Sequence, residues 1–385
     1  MKNLNVDLID DVDNEAAEQD LDVDFELEKK YAQQMRQIHP QKIELPISML
    51  KTMIEEQISL SPDFQRRDRW DAKKQSRFIE SIIMNVPVPP VFLGEDKYGQ
   101  YVVLDGRQRL TAVYEFLRGG YSLENLEVWK ELNNLRYSDL EDRGLAPTLK
   151  RRFIPAVLLL RETSPEVKYD VFDRLNTGGV PLNSMEIRNA VFPGKYNRLL
   201  HTLSDDTTFR ELWEIPQNNL ERKKNGLYAN MKDVELVLRF LALRSPEKIR
   251  KSFKWWLGHY LGEMNEMSEN NPNVLAEDTS AFERAVKSIK IVFGLEHAFV
   301  RPDDLKRGIK SAPLADALMV AFAELEPLKL TEEISEKLRS GLLNLMKDPT
   351  FIKSITTGTN GKGAIFQRVS CVKALVVNVA NEALI

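Results

Sequence analysis

The sequence predicts an α+β fold: a mixed domain of strands and helices, followed by an all-helical domain. Three observations carry this. Residues 41–195 alternate short β-rich apolar runs with amphipathic helical segments. Residues 196–385 repeat their apolar positions at helical spacing almost throughout. Of 385 residues, 43% are hydrophobic, enough to bury a real core in two or three domains.

Residues 1–40 stand apart. The first 28 hold eleven acids and one base, which leaves 53 bases and 47 acids in the rest, a basic body behind an acidic tail. Such a segment has too little apolar surface to offset its ordering entropy, so it is expected to be largely disordered up to a short helix-prone stretch, EKKYAQQMRQI. It either solvates the chain or mimics a polyanion over a basic groove; in the second case deleting residues 1–28 tightens DNA binding, and an unchanged affinity would refute it.

In the mixed region, Asp71 is placed to cap a helix running to Met84, with Phe78, Ile79, Ile82 and Ile83 on one apolar face. Pro87, Pro89 and Pro90 end it and force an extended passage. Val91–Leu93 and Tyr101–Leu104 read as strands around the turn Gly94–Gln100. A helix through Leu110, Val113, Tyr114 and Leu117 stops at Gly119-Gly120. Phe153–Leu160 reads as a central buried strand, and Ser164-Pro165-Glu166 as a helix start. Met185–Val191, carrying Glu186 and Arg188, reads as a helix. Beyond it, the periods around Val234–Leu241, Ala281–Phe293, Leu314–Leu325, Ile334–Met346 and Val369–Val379 predict an α-bundle.

Composition narrows the function. No apolar run approaches the about 18 residues that mark a membrane helix, so no membrane span is expected. The acidic N-terminus lacks a signal-peptide pattern, and the single Cys371 fits a reducing compartment, so a cytoplasmic location is expected. His39, His201, His259 and His297 show no ligand spacing, which leaves little material for a zinc site. No G-x-x-x-x-G-K-[ST] loop occurs; the nearest glycine cluster, Thr357–Gly363, lacks its spacing.

The segment richest in chemistry is YVVLDGRQRL, residues 101–110. A strand ends, a glycine turns, and a helix begins at once. The free N–H groups and positive dipole end of that first turn attract anions. Arg107 and Arg109 add guanidiniums suited to phosphate oxygens. Asp105 is placed to hold a phosphate-bound metal or to orient an arginine, and Gln108 to position a water or a ligand oxygen. The plainer reading is a structural turn whose arginines pair with nearby acids. A second arginine group, FQRRDRW at 64–70, precedes the helix capped by Asp71, where cations oppose the helix dipole unless Asp68, Asp71 or a bound anion compensates. A third, FDRLNTGGVPL at 172–182, places Arg174 and Asn176 at the rim of a glycine-bearing loop, with helix capping as the plainer role.

Taken in order, FQRRDRW, KKQSRFIESIIMNVPVPPVFL, VVLDGRQRLTAV and FDRLNTGGVPLNSMEIRNAVF resemble the N-terminal domain of GmrSD-type restriction endonucleases, within the wider ParB and sulfiredoxin-like superfamily. The usual Asp-Gly-Gln-Gln-Arg signature here carries Arg107 at its third position. The resemblance implies a ParB-like domain over 41–195 that binds a nucleoside triphosphate without a P-loop, with Mg²⁺ at Asp105. Asp105, Gln108 and Arg109 are the expected catalytic group; Gln65, Arg66, Gly106, Arg107, Arg174 and Asn176 are the expected nucleotide contacts. Relatives often end in a histidine–asparagine–histidine nuclease; the scattered histidines lead us to expect none, and therefore a separate nuclease or effector partner.

The leading expectation is a cytoplasmic nucleoside-triphosphate-binding and hydrolysing protein of restriction or phage-defence type that couples nucleotide state to DNA or a partner, with homo-oligomerisation open. DNA contacts are expected at Lys150, Arg151 and Arg152 and at Arg222, Lys223 and Lys224, each set otherwise an ordinary solvated face, as are the cations around Trp255 and Trp256. The alternatives are a non-catalytic nucleotide- or DNA-binding module and, more weakly, a ParB-like nuclease acting through Asp105 and a metal.

Overall fold

The computed structural model describes residues 40–60, 70–95, 99–160, 183–301 and 309–382, with Thr163, 167–169 and Val171 between them. The acidic tail, Gln65, Arg66, Arg174, Asn176 and the 164–166 helix start lie outside the described residues. The fold is α+β, in two compact units: one holds the described residues of 40–60 and 71–171, the other Trp70 and the described residues from 183 onward.

The first unit is built on a five-stranded mixed sheet in the order β1-β5-β3-β4-β2, from β1 (Pro40–Pro46), β2 (Ile58–Ser59), β3 (Val91–Glu95), β4 (Tyr101–Asp105) and β5 (Phe153–Leu159). Its helices are α1 (Ile47–Glu56), α2 (Ala72–Ile83), α3 (Arg107–Leu117), α4 (Tyr137–Asp142) and α5 (Ala146–Lys150). The middle strand is β3, flanked by β5 in parallel and β4 antiparallel. The strand read from Phe153 is interior but one place off centre. Its Pro155 faces Glu44 of β1, one residue before the stretch from Ala156 that pairs with β3, so the missing N–H falls outside the β3 ladder.

Helix α2 starts where its cap requires: Asp71 Oδ1 accepts from Lys74 N at 2.8 Å. Its predicted apolar face is buried, Ile79 completely. Val91, Leu93, Leu110, Val113, Phe116 and Ile154 form the core between sheet and helices. Burying such a side chain contributes about 1.5–3 kcal/mol, so this stack fixes where β4 hands over to α3.

The second unit is helical: α6 (Ser184–Val191), α7 (Lys195–Ser204), α8 (Thr207–Leu212), α9 (Asn219–Arg222), α10 (Gly226–Ala229), α11 (Lys232–Ala242), α12 (Phe253–Asn270), α13 (Asn273–His297), α14 (Ala312–Phe322), α15 (Glu332–Leu345), α16 (Pro349–Thr356) and α17 (Lys362–Glu382). α14 is apolar and almost wholly buried, with its one carboxylate, Asp316, inside the bundle. The expectation that no segment reaches membrane length meets an exception here. Lys362–Asn381 is long and apolar enough by length and composition, with mean hydropathy 1.3. A third of that stretch is buried against neighbouring helices, while Phe366 and Val377 are exposed. Ile365, Val369, Val372, Val376 and Val379 form its buried stripe, and Arg368 is fully buried against Asp316 at 2.7 Å.

Candidate functional site

The turn between β4 and α3 is set by backbone geometry. Gly106 has φ 91°, the left-handed region that side chains resist. A Cβ there would lie 2.4 Å from Val91 Cγ1, so the glycine is needed twice over: for its conformation and for its close approach to the middle strand. Asp105 ends β4 opposite Phe92, beside a register shift between Phe92 and Leu93. A bulge at that point re-aims the strand end and its side chain.

Helix α3 then opens at Arg107 with no side-chain cap and no acid in its first turn. The positive end of the helix dipole therefore meets no acid of its own first turn. Gly106 is buried, whereas Asp105, Arg107, Gln108 and Arg109 are half-buried.

Arg109 is held on three sides. It donates to Asp105 Oδ2 at 2.6 Å, to the Pro90 carbonyl at 3.0 Å and to the Pro89 carbonyl. Pro89 and Pro90 lie outside any helix or strand, so no ladder supplies donors to their carbonyls, and the guanidinium fork does. Burial draws Arg109 below its ordinary pKa, while the Asp105 carboxylate opposes that shift. The Asp105 side chain remains 46% exposed. One of its oxygens orients Arg109, and the carboxylate as a whole still meets solvent.

The structure therefore brings Asp105, Gly106, Arg107, Gln108 and Arg109 to one turn. The part played by Pro89 and Pro90 was not anticipated. Its signal in the sequence is the Pro-Pro pair just before a strand, a place where carbonyls go unpaired.

The expected DNA contacts divide. Lys150 is exposed, 3.1 Å from Glu141 and over the Tyr137 ring; Arg151 is exposed; Arg152 donates to the Ile83 carbonyl at 3.0 Å, closing the C-terminal end of α2. In the second unit Lys223 and Lys224 are exposed, while Arg222 lies 3.5 Å from Asp205 and 4.6 Å over the Tyr228 ring. Lys251 sits 4.5 Å over the Trp255 ring. Arg188 is fully buried, 3.1 Å from Glu235. Among the described residues no group of three or more His, Cys, Asp or Glu converges on a metal position.

A strand running through a buried glycine into an uncapped helix, with Asp105 and Arg109 locked across the turn, lies within a segment of known kind. Residues 49–193 match the GmrSD restriction endonuclease N-terminal domain family. No curated protein and no solved structure matches the chain. The GmrSD-type segment runs from within α1 to just past α6, so it holds the sheet strands β2–β5 and the whole Asp105–Arg109 turn. The match suggests a restriction or phage-defence context.

Proposed function

We propose that the GmrSD-type segment binds a nucleoside triphosphate on the β4–α3 turn and hydrolyses it, and that the nucleotide state governs action on DNA or on a separate effector. The ParB and sulfiredoxin-like relationship and a cytoplasmic setting are part of the same reading. The observation that carries it is the turn itself. Gly106 clears the space a Cβ would fill, and α3 presents an uncapped N-terminus without acids.

The residues fit the ligand. A phosphate over the first turn of α3 would meet backbone N–H groups and Arg107, with Gln108 at the second helical position to orient a water. Arg109 acts behind them by fixing the Asp105 carboxylate. Magnesium bound to nucleotide phosphates takes one or two carboxylates and several waters, so one half-exposed Asp105 suffices; when bound, the ion supplies charge neutralisation. Gln65, Arg66, Arg174 and Asn176 complete the proposed nucleotide contacts. Lys150, Arg151, Lys223 and Lys224 are the exposed cations proposed for DNA, with Arg152 and Arg222 beside them.

A second reading is a nucleotide sensor without hydrolysis. The commitment of Arg109 to Asp105, Pro89 and Pro90 favours it, because that guanidinium is already used. Phosphate release from ATP, GTP and CTP with Mg²⁺ decides between the two. Hydrolysis that is lost in Asp105→Asn at unchanged melting temperature supports an NTPase. Binding without release supports the sensor, and no uptake of any ribonucleotide defeats both.

A further inference from the structure

At the other end of α3 from the Asp105 turn, within the first unit, lies a cavity of about 520 Å³. Lys51 of α1, Arg118 after α3, Arg136 before α4 and Lys150 at the end of α5 face it, against one carboxylate, Glu141. Glu141 is answered by Lys150 at 3.1 Å, and Arg118 reaches Glu115 at 3.6 Å. Arg136 donates to the Gly119 carbonyl at 3.3 Å. Among the described residues neither Lys51 nor Arg136 makes an ion pair. With Lys150 and Arg118 each beside a carboxylate, Lys51 and Arg136 leave the concave space a net positive charge, which a multivalent anion would offset.

The rest of the lining points to the same chemistry. Ser48 and Ser138 bring hydroxyl donors. Helix α1 begins beside Ser48 with no side-chain cap and no acid in its first turn, which adds to the field, while the C-terminal end of α3 at Leu117–Gly119 opposes it. The aromatic ring of the lining, Tyr137, is buried and has Lys150 over its face, so it offers no platform for stacking a base. The cavity is suited to phosphate groups rather than to the bases or sugars attached to them.

We propose that this cavity is a second anion site, distinct from the β4–α3 turn, that binds phosphate groups through Lys51, Arg118, Arg136 and Lys150. The phosphates come either from a nucleic-acid backbone or from a free polyphosphate. The test uses the full chain, a fluorescein-labelled 20-nucleotide single strand and sodium tripolyphosphate, titrated between about 50 and 200 mM salt. Lys51→Glu and Arg118→Gln are compared with Lys51→Arg, which keeps the charge.

If the backbone is the source, Lys51→Glu weakens strand binding about tenfold and makes its logarithmic salt dependence shallower by about 0.7 for each phosphate no longer neutralised, while Lys51→Arg retains both. If free polyphosphate is the source, the same weakening appears with tripolyphosphate and not with the strand. Equal affinities and salt slopes across wild type, Lys51→Glu and Arg118→Gln for both probes would overturn the proposal. Nucleotide hydrolysis measured alongside is expected to be unchanged in Lys51→Glu, so this site and the turn fail or stand independently.

Discussion

Two aspartate–arginine clusters, one in each unit, use the same chemical groups to opposite ends. In the helical unit, Asp316 of α14 receives Arg239 of α11 at 2.6 Å and Arg368 of α17 at 2.7 Å, and its side chain is 2% exposed. Arg368 continues to the carbonyls of Ser354 and Thr359, and Arg239 lies 4.8 Å over the Phe253 ring. Every direction is filled by protein, and three long helices are tied at one point. In the mixed unit, Asp105 holds one arginine, Arg109, and keeps 46% of its side chain exposed. That arginine ties down a proline-rich passage rather than another helix. The contrast shows what separates a structural ion cluster from a candidate site: not the presence of the pair, but whether the carboxylate still faces solvent.

The comparison breaks most visibly at Asp316. Asp316→Ala leaves two buried guanidiniums without a counter-charge, and the expected loss is about 3–5 kcal/mol in denaturant unfolding. A loss below about 1 kcal/mol would mean that the cluster is better solvated than its burial implies.

Gly106→Ala is expected to cost less, about 1–3 kcal/mol, because it combines left-handed backbone strain with the Val91 clash. Adding Val91→Ala removes the Cγ1 contact and leaves the strain, with the residue 91 Cβ still 2.8 Å away. A double variant no worse than Val91→Ala alone would show that left-handed strain is not what keeps the glycine.

Asp105→Asn sharpens the contrast further. As half of a partly exposed pair, it should change stability by no more than about 1 kcal/mol, measured by thermal unfolding. Under the proposed function it nonetheless abolishes phosphate release. A large stability loss instead would place Asp105 with Asp316, as a structural residue.

Much of this could be read in advance, for physical reasons. Helix α2 was legible because Asp71 and an apolar face at helical spacing are local signals. The β4–α3 turn was legible because a glycine between an apolar strand and a helix start has few other uses. Strand β1 was not, because PQKIELP pairs only with β5, more than a hundred residues away, and just Leu45 of the seven is buried. The Arg109 link to Pro89 and Pro90 was hidden for the same reason: a carbonyl's need for a donor has no residue type of its own. The family blocks at 64–69 and 172–182 fall outside the described residues, so the turn is the part of the site whose geometry is known.

The smallest expected effect concerns a third aspartate, which lies between the other two in character. Asp278 of α13 accepts from the Tyr196 hydroxyl at 2.5 Å and from Arg244, near Tyr260 and Glu277. Burial raises its pKa above the ordinary 3.8, and the Tyr196 and Arg244 contacts offset only part of that shift. A carboxyl raised on folding binds its proton more tightly in the native state. Its contribution is therefore complete below the unfolded pKa and fades as pH rises through the folded one. Urea unfolding followed upward from about pH 4 should show this decline in wild type, and Asp278→Asn should flatten that part of the profile while keeping a side-chain acceptor for Tyr196. If stability of the Asp278→Asn variant fell with pH as steeply as that of wild type, Arg244 would be holding the wild-type carboxylate charged in the folded bundle, and Asp278 would move into the class of Asp316.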